Sequence, residues 1–203
     1  MSNDVQKSKR YFLKGLSTII GGVAASSLLR GNGLAVAMAY STNANDKTAI
    51  TKVFSKSQLA ILKQVCAIVI PKTETLGAAE VDTHGFIDNQ LFHCFSKSAQ
   101  QKAVSLLTLI DKQAQQSHSS TFVALSDEQQ FQLLTALDLG KIPFGQTQRT
   151  DFKKLKKLIC FGYYTSEVGA SQELRYVAVP GGYKGSIPYK SGDAAWGSKG
   201  LSY

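Results

Sequence analysis

"FSKSQLAILKQVCAIVIPKT", residues 54–73, reads as one amphipathic helix with both ends marked. Leu59, Leu62, Val65, Cys66 and Val69 recur at the three- and four-residue spacing that gathers side chains on one helical face. Ser55 and Gln58 have the spacing of a capping box, in which the serine hydroxyl and the glutamine amide each satisfy a backbone N–H of the first turn. Pro71 marks the stop, because proline has no N–H to donate and disfavours helical geometry in the residue before it. A helix with one apolar stripe must bury it against other elements, so the fold follows from whether the pattern repeats.

The pattern repeats along the chain. A second helix is expected within "HGFIDNQLFHCF" (84–95), with Phe86, Ile87, Leu91, Phe92 and Phe95 inward. A third runs from about Ser98 to Gln116 and turns Val104, Leu107 and Ile110 to the core. A fourth starts at Ser126, whose Gln129 completes another capping box, and carries Phe131, Leu134 and Leu137. The fifth begins at Thr150, presents Phe152, Leu155, Leu158 and Ile159, and runs into "GYYTSEVGA" (162–170). Strand alternation is nearly absent. The expected fold class is all-α: a single domain of about five helices over residues 54–203, preceded by a polar linker, 40–53.

Beyond Leu174 the composition shifts to Gly, Pro and aromatic residues, including the only tryptophan, Trp196. Glycine and proline punctuate this segment into turns, whereas Tyr176, Tyr183, Tyr189 and Trp196 offer large surfaces that need something to lie against. It either wraps its own helical core or docks in part on another protein, where aromatic residues are favoured anchors.

Residues 1–39 read as an export signal. Lys7, Lys9, Arg10 and Lys14 form a basic head before the apolar run "GLSTIIGGVAASSLL" (15–29). That run has 15 residues, whereas a bilayer span takes about 20. Ala37-Met38-Ala39 supplies the small-x-small pattern of a cleavage site before Tyr40, with an uncleaved anchor as the alternative. "SKRYFLK" (8–14) resembles the twin-arginine signal at Arg10, Phe12 and Leu13, with Lys9 standing where the first arginine belongs. An ammonium does not reproduce arginine's planar fork, so the ordinary secretory route stays open beside the twin-arginine one. The twin-arginine route carries proteins that have already folded.

The charge argues against nucleic acid. Removing residues 1–39 removes five basic residues and one acid, which lowers the formal charge from +9 to +5. The remaining lysines alternate with apolar residues, as in "DFKKLKKLI" (151–159), which is how a solvated helix face looks. No nucleic-acid motif accompanies them.

Catalytic and cofactor chemistry finds little to rest on. The sequence contains no Gly-x-Gly-x-x-Gly after a strand, no phosphate-cradling loop and no Cys-x-x-Cys-His, so no cofactor is expected in this chain. Cys66, Cys94 and Cys160 fall inside predicted helices at wide spacing and read as small core residues, with a disulfide between two of them after export left open. His84, His93 and His118 lack the spacing of helical metal ligands. Ser166-Glu167 places a hydroxyl beside a carboxylate, but no nucleophile elbow surrounds it. "GYYTSEVGA" reads first as a binding surface or an unusual helix ending, with a hydrolase site using Ser166 and Glu167 as the weakest of three alternatives.

Three motifs in order carry a family resemblance: Ile70-Pro71-Lys72-Thr73 with Thr75 and Gly77-Ala78, then Gly162-Tyr163-Tyr164-Thr165-Ser166-Glu167, then Val179-Pro180-Gly181 with Tyr183. Over the mature chain, from about Phe54 to Trp196, the sequence resembles the gluconate 2-dehydrogenase subunit 3 family. The resemblance implies a non-catalytic small subunit of a periplasmic, membrane-associated sugar, sugar-acid or polyol dehydrogenase. It implies a large flavoprotein partner of the glucose-methanol-choline type holding FAD, and a cytochrome subunit with haem c. The small subunit then supports folding of the flavoprotein and carries the signal that presents both to the twin-arginine translocase. Pro71, Thr73, Thr75, Tyr163, Tyr164, Glu167, Pro180, Gly181 and Tyr183 are the expected partner interface, with the loop Pro71 to Ala78 lying beside "GYYTSEV". The competing expectation is a free-standing periplasmic binding or scaffold module of the same fold.

Overall fold

The computed structural model describes residues 51–174, together with 186, 188 and 190–194. Five α-helices follow one another among them: α1 Lys56–Val69, α2 Thr83–Cys94, α3 Lys97–His118, α4 Asp127–Leu139 and α5 Gln146–Tyr164. A 3₁₀ turn, Phe122–Ala124, precedes α4, and a π turn, Gly169–Glu173, follows α5. No strand occurs among the described residues, so the all-α expectation holds. Helix α5 is the central element and packs against the other four helices and the π turn. Helix α1 lies on α2, α3 and the 3₁₀ turn.

Local chemistry explains most of the boundaries. Ser55 Oγ accepts from Gln58 N at 3.2 Å while Gln58 Oε1 accepts from Ser55 N at 3.0 Å, which closes the predicted box at the start of α1. Ser126 and Gln129 repeat it at α4, at 3.3 and 3.2 Å. Helix α1 stops at Val69, with Ile70 already out of helical geometry before Pro71. Helix α5 begins at Gln146 rather than Thr150: Gln148 Oε1 accepts from Gly145 N at 3.1 Å, so a glutamine alone performs a capping role there.

The core is one apolar cluster drawn from every helix, with Leu62, Val65, Ile87, Leu91, Leu107, Ile110, Leu137, Phe152 and Ile159 buried. Each such side chain contributes about 1.5–3 kcal/mol when fully removed from water. Three expected core aromatics lie outside it: Phe92, Phe95 and Phe131 are 44%, 38% and 56% exposed. Buried amides and a carboxylate take the inward positions. Gln130 sits in the α4 core face, where its Nε2 donates to Phe122 O at 2.9 Å and Leu125 O at 3.3 Å. Gln100 of α3 likewise donates to Leu91 O at 2.8 Å and Phe95 O at 3.1 Å, capping the end of α2. Asp88, on the inward face of α2, ties down residues 52–54.

The cysteines divide. Cys66 is in the core as expected, but Cys94 and Cys160 are exposed, each on the outer side of a helix whose inner side is filled by larger residues. Burial, and secondarily the Asp82 carboxylate, pushes the Cys66 thiol well above its ordinary range. A pKa raised by folding contributes stability in full below the unfolded thiol value and loses it as pH rises above that value. Between about pH 8.5 and 10 the wild type should therefore lose about 2 kcal/mol that Cys66→Ala does not lose. Denaturant midpoints of both proteins across that interval check the difference in slope.

Candidate functional site

The loop between α1 and α2 folds back on itself before α2 begins. Ala78 N donates to Ile70 O at 3.0 Å and Thr73 N to Thr75 O at 3.1 Å. At Gly77 the backbone passes so close that a Cβ would stand 2.6 Å from Lys72 N, 2.7 Å from Ile70 O and 2.8 Å from the Pro71 carbonyl carbon. Only glycine fits this crossing. The pinch thrusts Leu76 outward, leaving it 42% exposed. Asp82 then caps α2 in the left-handed region, φ 58°, and its Oδ1 lies 3.4 Å from Nε2 of the buried His84.

The end of α5 meets this loop. Tyr163 OH donates to Leu76 O at 2.9 Å, and the Thr75 hydroxyl donates to the Glu173 carboxylate of the π turn. Burial is the main reason the Tyr163 phenol is pushed above its ordinary range, with the Glu173 charge adding to it, so at neutral pH it is a donor. Gly162 allows α5 to approach α2: a Cβ there would lie 2.6 Å from Phe86 Cδ1 and 3.0 Å from Thr83 Cγ2. Glycine thus serves a close helix crossing and does not end the helix; Thr165 is the C-cap, and its hydroxyl donates to Phe161 O at 2.7 Å.

Ser166 has a similar backbone task. Its hydroxyl donates to Tyr163 O at 2.6 Å and accepts from Gly169 N at 3.2 Å, which commits both its donor and an acceptor to turning the chain. Glu167 is exposed beside it. Among the described residues no group of three or more His, Cys, Asp or Glu side chains is arranged to hold a metal ion. The arrangement fixes the loop and the end of α5 against each other.

The sequence-predicted site residues sort unequally. The loop at 71–78 and the 163–167 segment do lie together. Pro71, Thr73 and Glu167 are exposed, and Thr75 is half-buried by its bond to Glu173. Tyr163 needs correction as an interface residue: at 2% exposure its ring belongs to the core, and its hydroxyl is the clamp on the loop. Tyr164 is 41% exposed and stands edge-on to Tyr163, with centroids 5.2 Å apart. Pro180, Gly181 and Tyr183, the signal residues Lys9, Arg10, Phe12 and Leu13, and the cleavage residues Ala37 and Ala39 lie outside the described residues. Sequence reading missed Leu76 and Glu173. A lone leucine in the polar turn "KTETLG" (72–77) was a signal for the first, and nothing local marks the second.

Comparison with known proteins gives one finding. The family model described as Gluconate 2-dehydrogenase subunit 3 matches residues 56–181. Neither the curated proteins nor the solved structures gave a match. The matched span takes in the pinched loop, all five helices and the Tyr163-Tyr164 helix end, and covers more than half of the 203 residues; the chain belongs to the gluconate 2-dehydrogenase subunit 3 family.

Proposed function

We propose that this chain is the non-catalytic small subunit of a periplasmic, FAD-dependent sugar, sugar-acid or polyol dehydrogenase. In this reading it supports folding of a glucose-methanol-choline-type flavoprotein and carries it across the membrane by the twin-arginine route. The family's name implies a multi-subunit dehydrogenase. One structural observation supports a binding role above others: Leu76 on the pinched loop and Tyr164 at the end of α5, both about two-fifths exposed, stand beside the Tyr163–Leu76 clamp. A rigid surface of this kind loses little conformational freedom when another protein covers it. Binding only the folded flavoprotein would stabilise that partner by mass action, and would keep passenger and signal together during export of the folded pair. FAD and any haem c belong to the partner chains in this account.

Tyr164→Ala tests the role of this surface. Truncating an interfacial tyrosine at a well-packed centre costs about 2 kcal/mol or more, which lowers affinity by at least roughly tenfold. Flavoprotein co-recovered from the periplasm should fall accordingly, while the small subunit's own melting temperature stays close to wild type. Unchanged co-recovery would remove Tyr164 from the interface.

A further inference from the structure

A second surface lies on the other end of α2, at its corner with α3. Phe92 and Phe95 are both substantially exposed there. Behind Phe95 an apolar cavity of about 210 Å³ opens between α2, α3 and α5, walled by Leu91, Ala103, Leu155 and Leu158. An apolar cavity of about 150 Å³ holds a benzene molecule, so this one has room for a leucine or phenylalanine side chain. The cavity continues into a more polar hollow of about 410 Å³ lined by Gln101, Ser105 and Gln148 together with Leu106 and Leu109, the two sharing Ser98, Lys102 and Asp151. Together they form a groove along α3 and α5, with an apolar socket at one end and amide and hydroxyl groups interleaved with Leu106 and Leu109 along the rest.

The α2–α3 corner beside this groove is predominantly basic. Lys102 and Lys154 stand at the socket, and the ammonium groups of Lys52 and Lys97 lie 5.7 and 5.6 Å from the Phe92 ring centroid. Among the described residues the one carboxylate lining either hollow is Asp151, which Lys154 engages at 3.2 Å. The Asp88 carboxylate nearby is buried and saturated by backbone N–H groups. A concave socket followed by hydrogen-bonding side chains suits an extended polypeptide better than an acyl chain, which would gain nothing from Gln101, Ser105 and Gln148.

We infer that this groove is a second docking face, which takes an acidic extended segment of the flavoprotein partner and seats one bulky apolar side chain of that segment beside Phe95. The inference rests on the small-subunit reading above. It makes the partner grip the domain at two separated places, the Leu76–Tyr164 junction and the α2–α3 corner. Complementary charge across such a rim speeds encounter and selects the partner.

Site-specific photo-crosslinking in the full-length chain, co-produced with the flavoprotein, tests it. p-Benzoylphenylalanine is placed at Phe95, at Tyr164 or at exposed Gln132 on α4. The Phe95 position should crosslink to a flavoprotein peptide rich in Asp or Glu, and Gln132 should not. Lys102→Glu should lower the Phe95 crosslink yield about tenfold at low salt. Crosslinking from Tyr164 but not from Phe95 would overturn this face and leave the small-subunit reading standing; no flavoprotein crosslink from either would remove both. Attachment from Phe95 to lipid or to a second copy of this chain, or a yield indifferent to Lys102→Glu, would also overturn the inference.

Discussion

Asp88→Ala should lower the stability of the domain by about 3–4 kcal/mol, the largest loss expected from any single polar side chain in the fold. The Asp88 carboxylate is buried and accepts three consecutive backbone N–H groups: Lys52 at 2.7 Å, Val53 at 2.9 Å and Phe54 at 2.9 Å. Hydrogen bonds to a charged acceptor contribute about 1.5–3 kcal/mol each and are not additive. Alanine leaves these donors without an acceptor and frees the segment that brings Phe54, 2% exposed, into the core. Lys52 also holds Asn89 Oδ1 at 2.5 Å and approaches His93 Nε2 at 3.0 Å, so residues 52–54 and α2 come apart together. Against a typical total of about 5–15 kcal/mol the loss is severe. A urea titration reads it as a lower midpoint, and Asp88→Asn, which keeps one carbonyl oxygen, should fall between the two proteins.

Gly77→Ala should cost about 3 kcal/mol and weaken partner binding as well. Overpacking usually costs about 1–3 kcal/mol, because neighbouring side chains give way. At Gly77 the obstacles are backbone atoms of Lys72, Ile70 and Pro71, and they cannot retreat without breaking the Ala78 N to Ile70 O bond. The loop must open, and the Leu76 carbonyl then leaves the Tyr163 hydroxyl. Co-recovery of the flavoprotein should fall further than with Tyr164→Ala, since Gly77→Ala displaces Leu76 while Tyr164→Ala removes one ring. Thermal melting of the purified small subunit and the co-recovered flavin, measured on the same preparations, separate the stability effect from the binding effect.

The starts of α1 and α4 and the end of α1 were legible because they depend on neighbours in sequence, whereas the start of α5 was placed four residues late. Ser55 with Gln58, Ser126 with Gln129 and Pro71 act within one turn, and each boundary they marked is where the helix begins or ends. Which face of a helix turns inward was less legible wherever a polar group is buried. Gln100, Gln130 and Asp88 occupy inward positions because their partners are backbone groups between 5 and 36 residues away. Hydrophobic periodicity has no means of seeing such pairings, so it assigned the core to Phe92, Phe95 and Phe131 instead. The same limit applied at the site. The motif residues marked the place where loop and helix end meet, but only the fold separates Tyr163, which clamps, from Tyr164, which is displayed.

Recovery of flavin from the periplasm, with and without this chain, tests the central claim most directly. A candidate flavoprotein partner of the glucose-methanol-choline type would be produced alone, with the full-length chain, and with a chain lacking residues 1–39. The account predicts flavin absorption and dehydrogenase activity in the periplasm only with the full-length chain, which co-purifies with both. Equal periplasmic flavoprotein in all three preparations, or a small subunit that purifies alone and colourless from all of them, would contradict it.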